Sequence, residues 1–235
     1  MSSAAELTTQ DRAVLGALFD PEASLGRGPS GTDAFALDSR TTAVPSDIAI
    51  AEQAAVRLLN KPVPSTQDAH SAIAQLTSII TTNPGYASAC VNRAQAYRLL
   101  PGALTDTSIT ASIFSDLERA ISLATPASTA VTPGLARILS SAHTHRGYLL
   151  LHASTHPSYF TLLQSLRLPL LHDIAMPAQL QELASRDFSI AGRYGNKTAQ
   201  QLAVKTNPYA KLCGQIVKEA LQRDIKEFYE PGVAV

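Results

Sequence analysis

One spacing returns three times in this chain, and it decides most of what the chain can become. Ala51-x2-Ala54-Ala55-x2-Leu58 is followed by Ala72-x3-Leu76, Ile79 and Pro84. Cys90-x2-Arg93-Ala94-x2-Tyr97 is followed by Ile113-x3-Leu117, Ala120 and Pro126. His143-x2-Arg146-Gly147-x2-Leu150 is followed by Ala184-x3-Phe188 and Ala191. A small residue lets a second helix approach closely, and a large one a turn away fills the space beside the crossing. Each set therefore predicts a packed pair of helices.

The pattern is similar to that of the tetratricopeptide repeat, a helix pair of about 34 residues with W-x2-L-G-x2-Y, then A-x3-F, then P. The expected fold class is all-α: a tetratricopeptide-repeat right-handed superhelix of three helix pairs, with long inter-helix insertions. The pairs fall at about 46–84, 87–126 and 133–193, and capping helices follow over 197–229. Three pairs with an end helix meet the usual minimum for a stable stack.

Local signals place the individual helices. Ser65-x-x-Asp68 has the form of a capping box, and Thr132-Pro133 puts a cap and a first-turn proline before a long helix. Asn83-Pro84 and Pro101-Gly102 break helices, and a fourth helix is expected over 112–124. Ile50, Ala54 and Leu58 are expected on the buried face of the first. In the last helix, Tyr209, Leu212, Cys213, Ile216, Val217, Ala220 and Leu221 follow helical spacing, as expected of a helix that covers the end of an array. Ahead of the repeats, 1–45 reads as a short helix opened by Thr8-x-x-Asp11, then a Gly-, Ser- and Pro-rich tether. Extra residues fall between the helices of each pair. The longest insertion, over 154–177, is too apolar for a solvated loop. It is expected either to form a short helix packed on the array or to dock in its concave groove.

Lys+Arg and Asp+Glu both number 19. That balance gives no basic footprint for nucleic acid or an anionic membrane. No run approaches the roughly 18 apolar residues of a membrane span. Cys90 and Cys213 sit on apolar faces, which suits a reducing compartment, so cytoplasm or nucleus is expected. His152 and His156 have a spacing that can hold zinc, but no third ligand stands near them in the pattern. No set of residues supplies a nucleophile, a base and an orienting group, so neither enzyme activity nor a cofactor is expected.

Several segments resemble the tetratricopeptide repeat protein 36 family: "ASACVNRAQAYRLLPGAL" (87–104), "DLERAISL" (116–123), "RGYLL" (146–150) and "NPYAKLCGQIV" (207–217). "DRAVLGALFDP" (11–21) resembles that family's opening helix. The resemblance implies a non-catalytic helical scaffold that binds proteins, with seventy-kilodalton heat-shock chaperones among the partners. Many chaperone-binding repeat domains clamp a carboxylate tail with a Lys and an Asn on the first helix, an Asn on the third, and a Lys and an Arg on the fifth. Asn92 matches the third-helix Asn. The first helix lacks Lys-x3-Asn, and Ser141 and His145 occupy the fifth-helix places. Losing several charge-assisted bonds at roughly 1.5–3 kcal/mol each argues against that clamp.

The residues expected to line a partner-binding groove are Asn92, Arg93, Tyr97 and Arg146. The two arginines occupy equivalent places in successive repeats, where they either face an acidic ligand or pair with Asp and Glu between helices. The alternative is a structural or homo-oligomeric protein whose groove the 154–177 insertion fills.

Overall fold

The computed structural model describes residues 46–126 and 131–229. The short helix and tether expected over 1–45 lie outside them. The described residues form nine α-helices, one 3-10 turn and no strand. They are α1 (Ser46–Leu59), α2 (Thr66–Thr82), α3 (Ala87–Arg98), α4 (Thr107–Ala124), α5 (Pro133–Thr155), α6 (Pro157–Ser165), a 3-10 turn (Pro169–Leu171), α7 (Pro177–Arg193), α8 (Lys197–Thr206) and α9 (Pro208–Tyr229).

The caps are where the local chemistry puts them. The Ser65 hydroxyl accepts from the Asp68 amide at 3.1 Å, and the Asp68 carboxylate accepts from the Ser65 amide at 3.0 Å. Thr132 caps α5, with Pro133 in its first turn. One boundary differs from the expected fourth helix over 112–124. α4 begins at Thr107, because the Asp106 carboxylate accepts from the amides of Ser108 and Ile109 and starts the helix earlier. Gly102, at φ +86°, makes the turn before it, a backbone region that strains other residues.

Consecutive helices pack as α1 on α2, α2 on α3, α3 on α4, α4 on α5, α5 on α7 and α7 on α8. α3 also touches α1 and α5. The predicted crossing residues are the core: Ala55, Ala72, Leu76, Cys90, Ala94, Ile113, Leu117, Ala120, Leu150, Ala184, Phe188 and Ala191 are all fully buried. The reason for the small residues is explicit at the third pair. A Cβ on Gly147 would lie 2.9 Å from the Phe188 ring, so only glycine lets α7 come this close.

The long insertion takes the first of its two expected courses. α6 packs on α4 and α5, with Tyr159 and Leu163 buried in the common core. Phe160, Leu162, Leu166, Leu168, Leu170 and Ile174 pack partly buried against that core, which accounts for the segment's apolar composition.

Two apolar faces depart from expectation. Ile50 is 66% exposed, and Ala54 is exposed too. α1 instead turns Ala55 and the partly covered Ile48, Leu58 and Leu59 to the core. At the other end, α8 is the helix that covers the last pair. The Gln200 side chain donates to the Gly192 carbonyl at 2.9 Å, and Ser185 donates to the Ala203 carbonyl at 2.9 Å. The chain then turns at Asn207-Pro208, and α9 leaves the stack. Tyr209, Leu212, Cys213, Ile216, Val217, Ala220 and Leu221 are all exposed, so the face expected to cap the array is open. Cys213 is accordingly an exposed free thiol, whereas Cys90 is a core residue.

Gly147→Ala forces a methyl into the packed Phe188 ring and is expected to destabilise the protein by about 1–3 kcal/mol. Urea denaturation of the two proteins measures the difference, and an unchanged midpoint would contradict the close crossing.

Candidate functional site

The sequence points to four groove residues, and three of them are engaged with neighbouring helices. Arg93, on α3, donates from Nε and Nη2 to both carboxylate oxygens of Asp116 on α4, at 2.8 and 2.6 Å. Its third nitrogen reaches the Thr77 hydroxyl of α2 at 3.0 Å. Arg146, on α5, makes the same fork with Asp187 of α7, at 2.8 Å on both arms. His143 adds a contact from Nδ1 to Asp187 at 2.8 Å. These are pairs between helices, the second of the two roles open to the arginines. Both aspartates are nearly fully buried.

The electrostatics follow from that burial. For Asp187, desolvation works to raise the pKa, but hydrogen bonds and charge from Arg146 and His143 outweigh it and the net shift is downward. The Arg146 guanidinium loses solvation as well, and Asp187 more than compensates, so its pKa rises. Asn92 donates its side-chain amide to Glu52 of α1 at 2.7 Å, and the Tyr86 hydroxyl bonds to the same carboxylate. Tyr97 is half-buried against the core.

One open region lies on the face made by α3, α5 and the α7–α8 connection. It consists of two adjoining cavities of about 470 and 410 Å³, which share Arg98 and Tyr148 as their common wall. The first is polar, with Gln95, Arg137, Ser141, Thr144, His145 and Asn196 around it. The second is apolar, lined by Leu104, Leu149, Leu151 and the edge of His152. Neither α6 nor the 3-10 turn lines either one. Asn196 is held for the first cavity by its bond to the Thr144 hydroxyl at 2.9 Å and by capping α8.

Two features make this face chemically distinct. Among the described residues no Asp or Glu lines either cavity and none pairs with Arg98 or Arg137, so the two arginines carry its charge uncompensated. His145 is only 4% exposed, and neither ring nitrogen has a hydrogen-bond partner among the described residues. Burial, with a further push from the Arg98 charge, lowers its pKa to about 3. Burial, then His156, then Arg98 likewise lower that of His152. The imidazole of His145 is therefore neutral at physiological pH, able both to donate and to accept. Among the described residues no cluster of three His, Cys, Asp or Glu could hold a metal; His152 and His156 stack face to face at 3.8 Å between ring centroids.

Sequence reasoning named Ser141 as a departure from a clamp and His145 as that and as a close neighbour of His143 in a metal reading, and it missed Arg98, Arg137 and Tyr148. A signal was present. Arg137, Ser141 and His145 recur at i, i+4, i+8 on one side of α5, and Tyr148 continues that side one turn later.

Relatives place this architecture. The L-tyrosine degradation gene cluster protein hmgX of Aspergillus fumigatus is 44% identical over 247 residues, spanning 94% of each chain. Tetratricopeptide repeat protein 36 of Danio rerio is 29% identical across 92% of this chain and 94% of its own, and that of Mus musculus 27% across 91% and 94%. The chain belongs to the tetratricopeptide repeat protein 36 family. No family model and no solved structure matches it. The kinship with hmgX and the vertebrate proteins covers nearly the whole chain. No helix among the described residues is long and apolar enough to cross a membrane.

Two stability measurements test this geometry. Asp187→Ala strands a buried guanidinium and is expected to cost about 3–5 kcal/mol in urea denaturation, with Arg146→Leu in the same chain recovering part of it. His145 has a folded pKa below its unfolded one. The unfolded chain therefore takes up a proton that the folded chain refuses as pH falls from about 6.5 towards 3. Stability should decline across that window, and His145→Leu should flatten the decline in denaturation midpoints measured between pH 7 and 4.

Proposed function

We propose that the chain is a non-catalytic scaffold that binds another protein on the face formed by α3, α5 and the start of α8. In this reading the three helix pairs wind as a right-handed superhelix, and that face is its concave side. The observation that carries the proposal is the open, uncompensated Arg98–Arg137 surface, which the apolar insertion leaves free by packing elsewhere. Asn92, Arg93 and Arg146 then serve to hold the helices that present the surface, and Tyr97 packs behind it.

The name of hmgX connects that relative with L-tyrosine degradation. We extend this to the present chain: its partner is a protein of that breakdown route. A seventy-kilodalton heat-shock chaperone is the competing partner, and it would have to bind without a tail clamp. Asn92 is occupied by Glu52, and the fifth-helix clamp places hold Ser141 and His145.

Calorimetric titration of the full chain with purified enzymes of L-tyrosine breakdown should give micromolar or tighter binding to one of them. The acidic C-terminal peptide of the chaperone should give none. Failure of every such enzyme and of the intact chaperone to bind would defeat the scaffold reading. Tail-peptide binding that depends on Asn92 would reverse the choice of partner.

A further inference from the structure

The two cavities lie one after the other along α5, with Arg98 and Tyr148 lining both. From Arg137 to Thr155 the helix rises about 27 Å at about 1.5 Å per residue. That length far exceeds a small carboxylic acid and matches an extended segment of roughly eight residues at about 3.3 Å each. Polar and apolar features are sorted along it. Arg137, near the start of α5, and Arg98, at the end of α3, stand over the polar cavity. Leu104, Leu149 and Leu151 line the other, with Arg98 and Tyr148 between.

Arg98 is exposed, and among the described residues it has no carboxylate partner, unlike the paired Arg93 and Arg146. The groups that face it are cationic, aromatic or neutral. Its charge bears on His145, His152 and Tyr159. His145 is the second, independent pointer to a ligand. A buried imidazole with both nitrogens unbonded is costly, and it lines the polar cavity beside Arg98. A carboxylate placed in this cavity would accept from the exposed Arg98 guanidinium.

We infer that this face takes an extended acidic–apolar segment of the partner, with carboxylates on Arg98 and Arg137 and adjoining apolar side chains between Leu104 and Leu151. This names the segment that the proposed scaffold recognises, and so rests on that reading. Arg98 anchors one carboxylate, and Arg137 takes a second near the start of α5. Tyr148 supplies the flat wall on which the chain passes from the polar to the apolar end. Arg98 and Arg137 both lie outside the clamp positions, so the recognised sequence need not end in a free carboxyl group.

The test is fluorescence anisotropy with the full chain and a set of labelled octapeptides. Each carries two Glu and two Leu or Phe, in both orders and at varied spacing, and each is matched by a version with Gln for Glu. At least one acidic peptide is expected to bind ten-fold or more tightly than its Gln version. Arg98→Gln should erase that advantage and Arg137→Gln should reduce it, both with unchanged melting temperature because these side chains are exposed. Tyr148→Ala should weaken acidic and Gln peptides alike. The inference is overturned if no acidic peptide outperforms its Gln version. It is also overturned if Arg98→Gln binds the set as the natural protein does, or if free phenylacetate competes as strongly as the best peptide. A natural partner that binds natural and Arg98→Gln protein equally would sink this site while leaving the scaffold reading standing.

Discussion

A buried arginine–aspartate fork holds two successive helix crossings in register. Arg93 with Asp116 and Arg146 with Asp187 join the first helix of a pair to the second, each directly beside the small residue, Ala94 or Gly147, at the point of closest approach. Taking such charges out of water is expensive, and the return comes from bidentate geometry and further hydrogen bonds. Asp187 collects three such contacts, which is why it stays ionised despite its burial. The pair does more than add stability. A one-residue slip of α7 along α5 would unpair a buried guanidinium and drive Phe188 into a side chain other than glycine. Alternative registers are penalised twice.

The first pair works differently. Where the later repeats have Arg and Asp, it has Ala54 and Gln75. Its tie is to the next pair: Glu52 gathers the Asn92 amide and the Tyr86 hydroxyl. Asn92, the one residue matching a known clamp, is thereby part of the link between α1 and α3. A polar residue at a familiar position acquires its role from whatever stands opposite, and that is set by tertiary structure.

This explains what could be read in advance. The helix pairs, the Ser65 and Thr132 caps and most core positions were legible, because they depend on spacing within one helix or on strong local cap chemistry. The start of α4 was hidden among the β-branched residues of "TDTSIT", where the Asp106 cap is the only cue. The fate of α9 was not legible. Its apolar stripe is as regular as that of a packed helix, and only the turn at Asn207-Pro208 decides that it leaves the stack. The candidate site was half visible. The α5 side bearing Arg137, Ser141 and His145 is periodic, but its partner Arg98 comes from α3, and no local pattern announces a surface assembled from two repeats.

The two forks share a geometry while their partners lie 23 residues apart in one repeat and 41 in the other. The extra chain is spliced in at the far tip of the hairpin, where α6 folds back and supplies its own oily underside. Such a joint behaves as a socket. Segments can be lengthened, trimmed or exchanged there while the crossing behind it keeps its alignment.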